Sequence, residues 1–138
     1  MIDGLIESTS GNIPEKISFE TLDAKAIADN KELSDWVQKQ HGINNIAYTR
    51  IGDELFVYMG VGEKPTGGYT VEVTDVLHTR PDEAFVNAVL HSPAPDMMVI
   101  QVFTTPYTVI RFNQGTIKHV GGEIRNVAAI KTLNPREG

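Results

Sequence analysis

Residues 60–69 read Gly-Val-Gly-Glu-Lys-Pro-Thr-Gly-Gly-Tyr, between the apolar runs 55–59 and 69–73. Glycines at 62, 67 and 68 allow positive φ or close approach of the backbone, and Pro65 fixes its own φ. This composition between two strand-like runs predicts a shaped hairpin connection rather than a flexible tether. Such loops lie at the surface and often carry function on a rigid scaffold. The alternative is that the glycines serve only to turn the chain.

Strand-like runs extend on both sides of this loop. Residues 55–61 are almost all apolar, which is typical of a strand buried on both faces. Val71 and Val73 alternate with Glu72 and Thr74, as in a half-exposed strand. Further strands are predicted at 17–22, 46–51, 85–90, 97–103, 107–112 and 116–120. The last of these follows Asn113-Gln114-Gly115, which predicts a tight hairpin turn.

One helix is predicted at about residues 30–41. Asp29 is the expected N-cap, paired with Glu32 as in a capping box, and Gly42 is a suitable terminator. The helix carries an apolar stripe that includes Leu33, Trp36 and Val37, with Trp36 as an expected core anchor. The sequence therefore predicts a mainly β (α+β) fold, an antiparallel sheet forming a sandwich or partly closed barrel with one N-terminal helix. The expected organisation is a loose arm at 1–16, a single β-rich domain at 17–133 and a frayed tail at 134–138.

Composition limits the classes of function. The formal net charge of −6 and the pI of about 5.1 argue against nucleic-acid binding and against attachment to an anionic membrane. The chain has no cysteine, so disulfides, thiol catalysis and thiolate metal sites are excluded. No apolar run reaches the roughly 18 residues needed to span a bilayer, so no membrane insertion is expected. No signal peptide is visible, so an exported protein would have to begin after its removal.

A search for catalytic motifs is negative. Residues 62–67 have the spacing of the first six positions of a Walker loop, but Gly68-Tyr69 stands where Lys and Ser/Thr must follow. The four histidines lack a metal-ligand spacing, and no serine lies in a nucleophile elbow. We therefore expect no enzymatic activity and no cofactor. What remains is a recognition surface for a protein partner, formed by Gly62, Lys64, Pro65, Thr66, Gly67, Gly68, Tyr69, Thr105, Pro106 and Tyr107.

Two motifs carry a family resemblance. The run from Gly62 to Val71 and the later Thr105-Pro106-Tyr107-Thr108-Val109 are similar to the signature of the PrcB C-terminal domain family, over about residues 55–112. The resemblance implies a non-enzymatic subunit that associates with or stabilises a secreted bacterial protease complex, and hence an extracellular or cell-envelope location. The absence of cysteine is equally compatible with the cytoplasm. The partner would be a protease or a protease-complex subunit, and an exposed strand edge could also support a homodimer.

A second resemblance is to chagasin-type inhibitors of cysteine peptidases, which present an Asn-Pro-Thr-Thr-Gly-aromatic loop. The matching positions are Pro65, Thr66, Gly68 and Tyr69, whereas Lys64 replaces the Asn and Gly67 the second Thr. This resemblance implies direct protease inhibition. A third interpretation keeps the motif purely architectural, with Tyr69 and Tyr107 packed inward and the domain binding a small ligand or serving a structural role.

Overall fold

The computed structural model of the chain describes residues 15–42 and 44–128. This part of the chain folds into two four-stranded sheets, with strand orders β1-β5-β6-β8 and β2-β7-β4-β3. The strands are β1 (Glu15–Lys16), β2 (Glu20–Thr21), β3 (Asn44–Ile51), β4 (Glu54–Val61), β5 (Thr70–Arg80), β6 (Glu83–Ser92), β7 (Tyr107–Phe112) and β8 (His119–Ala128). The helices are α1 (Ala24–Ala28) and α2 (Lys31–Gln40). The predicted mainly β sandwich with an N-terminal helix is confirmed.

The main core lies between the two sheets. Alternate residues of β4, Leu55, Val57 and Met59, pack against Val76 of β5 and Val86 of β6. Because side chains alternate across a strand, the intervening residues of β4 point to the opposite face of their sheet. That second face is also buried, so the prediction of a strand covered on both sides is confirmed.

The two helices cover the outer face of the β2-β7-β4-β3 sheet. Phe56 and Tyr58 of β4 form a second core with Leu33 and Val37 of α2 and with Ile27 of α1. Trp36 is partly buried at the margin of this core. The domain thus has three layers. The helical layer buries the outer face of β4, so that β4 is covered on both faces. No helix in residues 15–42 and 44–128 combines the length and apolar character that crossing a bilayer requires.

The N-cap of α2 is Asn30, not Asp29. The Asn30 side-chain oxygen accepts a hydrogen bond from the Leu33 amide at 3.1 Å. Asp29 instead ends α1 and pairs with Lys25 at 3.0 Å. The capping-box prediction missed the short helix before the cap, because a five-residue helix has too few turns to show a period.

The glycine-rich connection is not a hairpin. β4 and β5 belong to different sheets, so residues 62–69 carry the chain across the sandwich. Of the predicted strand at 17–22, only Glu20–Thr21 forms a strand, β2, which pairs with β7, whereas the preceding β1 pairs with β5 of the other sheet. Ile17 and Phe19 lie where the chain crosses and pack against the main core. Of the predicted arm at 1–16, residues 1–14 lie outside the described residues, as does the predicted tail at 134–138.

The last strand also departs from prediction. The expected hairpin at 113–115 does not form, since β8 pairs in parallel with β6 of the other sheet, from Glu83 opposite His119 to Ser92 opposite Ala128. Ile117 is 1% exposed and fills the core at this crossing. The next two amides, of Lys118 and His119, both donate to the Asp82 carbonyl oxygen, at 2.7 and 3.0 Å. Burial of Ile117 and these two hydrogen bonds hold the chain where it passes to the opposite sheet.

Candidate functional site

Two connections cross the sandwich side by side at one end. Gly60 of β4 lies opposite Tyr107 of β7, and Thr70 of β5 lies opposite His91 of β6. The β4–β5 and β6–β7 connections must therefore meet at the same end of the molecule. We call residues 62–69 the glycine loop and residues 97–103 the apolar segment, and both together the loop end.

The glycine loop holds the β6–β7 connection through its backbone. Lys64 and Thr104 exchange two hydrogen bonds, with N···O distances of 2.7 and 2.9 Å, and form an isolated antiparallel bridge. The Gly67 amide donates to the Ile100 carbonyl oxygen at 2.9 Å. The Thr104 hydroxyl donates to the Thr66 carbonyl oxygen at 2.7 Å. Together these four bonds attach the glycine loop to the β6–β7 connection at Ile100 and at Thr104, the two residues that flank positions 101–103.

Gly68 is required by the packing at this contact. Its φ is +90°, a conformation that residues with a Cβ rarely adopt. A Cβ at this position would lie 2.8 Å from Cγ1 of Val99 and 2.9 Å from Cβ of Pro93. Gly68 thus lets the loop approach the start of the β6–β7 connection closely.

The apolar segment is not a strand. Residues 97–103 were predicted to form one, but the structure assigns them no regular secondary structure and a bend at Val102. Exposed fractions are 94% for Met98, 67% for Ile100 and 71% for Phe103, and Met97 and Val102 are about half exposed. Within the described residues, the other large hydrophobic side chain with comparable exposure is Tyr48, at 39%. An apolar run held open to solvent in this way is a candidate contact surface.

The predicted contact residues at 105–107 lie beside the glycine loop but are tied to the helical layer. The Pro106 carbonyl oxygen accepts from the Val61 amide at 3.3 Å. The Tyr107 ring stacks on the Tyr58 ring with 5.2 Å between ring centroids, and it lies nearly perpendicular to the His41 ring with 5.3 Å between centroids. Burial raises the pKa of Tyr58, and the neighbouring Tyr107 adds to the rise. Tyr107 is therefore half-buried in an aromatic group that joins α2 to the sheets.

The remaining side chains of the glycine loop are partly accessible. Pro65 is exposed, while Lys64, Thr66 and Tyr69 are half-buried. The Lys64 ammonium lies 5.8 Å from the centre of the Tyr69 ring, within cation–π range. The loop therefore contributes a cation, an aromatic ring and a proline to the loop end, next to the apolar segment.

Other features of the described residues do not coincide with the loop end. No group of three or more His, Asp or Glu side chains in residues 15–42 and 44–128 is placed to hold a metal ion. A groove of about 340 Å³ between the edge strands β3 and β8 is lined by Asn44, Ile46, Gly60 and Ile124. None of these four lining residues belongs to the glycine loop, although Asn44 adjoins it at Gly62.

The family comparison falls on the same part of the chain. Residues 55–113 match the family described as PrcB C-terminal. This segment is similar to the PrcB C-terminal family. The matched segment contains β4 to β7, the glycine loop and the apolar segment, whereas the helices, β3 and β8 lie outside it. No curated protein and no solved structure matches the chain.

The sequence analysis identified one side of the loop end, the glycine loop, and missed the other side, the apolar segment. Glycine and proline marked the loop at 62–69, but the apolar segment looked like an ordinary buried strand. Its absence of charge and the prolines at 93, 95 and 106 were the available signals, since prolines at both ends favour an irregular connection.

Proposed function

We propose that the chain is a non-enzymatic protein-interaction module whose loop end is covered by another protein chain in its working assembly. The match of residues 55–113 to the PrcB C-terminal family supports placing that assembly in a protease complex, with the module as an associating or stabilising subunit. The proposal includes export to the extracellular space or the cell envelope, as that role would require.

One observation carries the proposal. Four backbone and side-chain hydrogen bonds of the family-matched loop are used to hold an apolar segment that is itself left in water. A fully exposed side chain of this size offers roughly 150–200 Å², so the five partly exposed ones present on the order of 600 Å² of mostly apolar surface. Keeping such a surface exposed is unfavourable unless a partner removes it from water.

Crosslinking in the cells that make the protein tests this proposal. A photoreactive benzoylphenylalanine in place of Phe103 is expected to capture a protein chain in high yield. The same group in place of Tyr48, an exposed residue of β3 outside the loop end, is the matched control and should capture little. Identification of the captured chain by mass spectrometry tests the link to a protease complex.

The outcomes separate the parts of the proposal. A folded protein that captures no chain at position 103 would contradict the interaction module itself. If the only captured proteins other than copies of this chain are unrelated to proteolysis, the interaction module stands and the protease complex is contradicted. Recovery of the protein only from the cytoplasm would contradict the proposed export.

A further inference from the structure

The apolar segment has backbone amides with no partner among the described residues, as well as exposed side chains. In the part of the chain that the structure describes, none of the amides from Met98 to Phe103 donates a hydrogen bond. The Ile100 and Thr104 carbonyl oxygens are used by the glycine loop. A stretch with free amides on a supported backbone can accept an added strand, because pairing satisfies these donors.

The sequence of the segment suits strand pairing. Residues 97–103 read Met-Met-Val-Ile-Gln-Val-Phe, with no charge, no proline and no glycine. This composition combines high β-propensity with low charge, the properties that promote pairing of identical segments. Met98, Ile100 and Val102 are exposed, and so are Met97 and Phe103, so the segment is open to an added strand on more than one side.

Charge distinguishes the candidate occupants. Each chain carries a formal net charge of −6, but residues 97–107 contain no charged side chain. Two copies can therefore meet at this segment without bringing like charges together. An anionic membrane fits less well, because the segment has no lysine or arginine of its own to attract lipid headgroups.

We infer that a second copy of this chain covers the apolar segment, by antiparallel pairing of residues 97–103 about a two-fold axis near Ile100. A two-fold interface uses the same surface of both copies, and this axis places Met98 of one copy opposite Val102 of the other. Two patches would bury on the order of 1,200 Å² in total, the lower limit of a stable interface. The inference rests on the proposed function, since it names the chain that covers the loop end.

The dimer would also bring two glycine loops together. Each loop bonds directly to its own apolar segment at Ile100 and to Thr104 just after it, so the two loops would flank the shared interface. A third protein could then be contacted twice, which raises its apparent affinity.

Sedimentation equilibrium of the purified chain provides the first test. The wild-type protein is expected to dimerise reversibly in the micromolar range. Ile100→Asp should weaken the dimer at least tenfold, because it places two carboxylates opposite each other. Tyr48→Asp, which adds the same charge to an exposed residue outside the segment, should leave the dimer unchanged. An equimolar mixture of Ile100→Asp and Ile100→Lys should associate more tightly than either variant alone, and circular dichroism verifies the fold of each.

Crosslinking through an introduced cysteine tests the register. The natural chain has no cysteine, so Ile100→Cys provides a single thiol per copy. Mild oxidation is expected to convert Ile100→Cys to a covalent dimer much faster than Tyr48→Cys. Equal rates for the two variants would overturn the two-fold axis near Ile100.

Three results would overturn the inference. These are a monomer at 100 µM, a dimer that Ile100→Asp leaves intact, or removal of the wild-type protein from solution by phosphatidylcholine vesicles, which would indicate a lipid occupant. If the chain is monomeric but Phe103 captures a different protein in cells, the interaction module stands and the second copy is excluded.

Discussion

The hydroxyl of Thr104 donates a hydrogen bond of 2.7 Å to the carbonyl oxygen of Thr66. This bond joins the two connections that cross the sandwich at the loop end. The neighbouring exchange of backbone bonds between Lys64 and Thr104 makes Thr104 the residue through which the glycine loop holds the β6–β7 connection.

Replacement of Thr104 tests this relationship. Thr104→Val keeps the shape but leaves the Thr66 carbonyl oxygen without its partner, so we expect a loss of about 1 kcal/mol in the free energy of unfolding. Hydrogen exchange at the nearby Gly67 amide should become faster. Thr104→Ser retains the hydroxyl and is the control. Equal exchange rates at Gly67 in both variants would indicate that the hydroxyl does not hold the loop.

Gly68→Ala should destabilise the domain by about 2–4 kcal/mol. The positive φ and the overlap of a Cβ with Val99 and Pro93 both contribute. Gly67→Ala is the matched control, because its Cβ would meet Ile100 at 3.7 Å, an ordinary contact, without a positive φ. Urea unfolding of the two variants provides the measurement. A similar loss in both would mean that the loop requires glycine for another reason.

A similar pair tests the parallel strand β8. A Cβ on Gly122 would lie 2.6 Å from the Val86 carbonyl oxygen of β6, so we expect Gly122→Ala to cost about 2–4 kcal/mol. A Cβ on Gly121 would meet the Phe85 ring at 3.5 Å, and Gly121→Ala should change stability little. Thermal unfolding monitored by circular dichroism distinguishes them. Equal melting temperatures would argue against this pairing of β6 with β8.

Alkaline pH should destabilise the fold through Tyr58. Burial raises the pKa of Tyr58 above its usual value of 10.0. Above pH 10 the unfolded chain therefore releases a proton that the folded chain retains, and the free energy of unfolding falls as pH rises toward the folded-state pKa. Tyr58→Phe removes this contribution, so its stability should decline less between pH 9 and 11. An identical decline in the wild type and Tyr58→Phe would contradict the prediction.

Local patterns predicted the sandwich but not its connections. Alternation and apolar runs located β4, β5 and β7, since those signals depend only on which faces of a strand are buried. These patterns could not predict the burial of Ile117 or the crossing of residues 62–69 between sheets. Both features depend on contacts with residues distant in sequence.

Only part of the candidate site was predictable, because the other part also depends on residues distant in sequence. The positive φ of Gly68 is a local backbone property, so a glycine at this position already indicated it in the sequence. The exposure of residues 97–103 depends on whether a neighbouring strand covers them. A run such as Met97–Phe103 has the same pattern whether a neighbouring strand covers it or not.

The parallel pairing of β8 with β6 has a consequence for where the folding unit ends. A fragment cut to residues 55–113 would lack β1, β2, β3 and β8, so each of β4, β5, β6 and β7 would lose one neighbour and both sheets would be reduced to two strands. Such a fragment would expose the edges of these four strands in addition to its apolar segment, and we expect it to aggregate. The recognisable motif is therefore smaller than the smallest piece of chain that can carry it in solution.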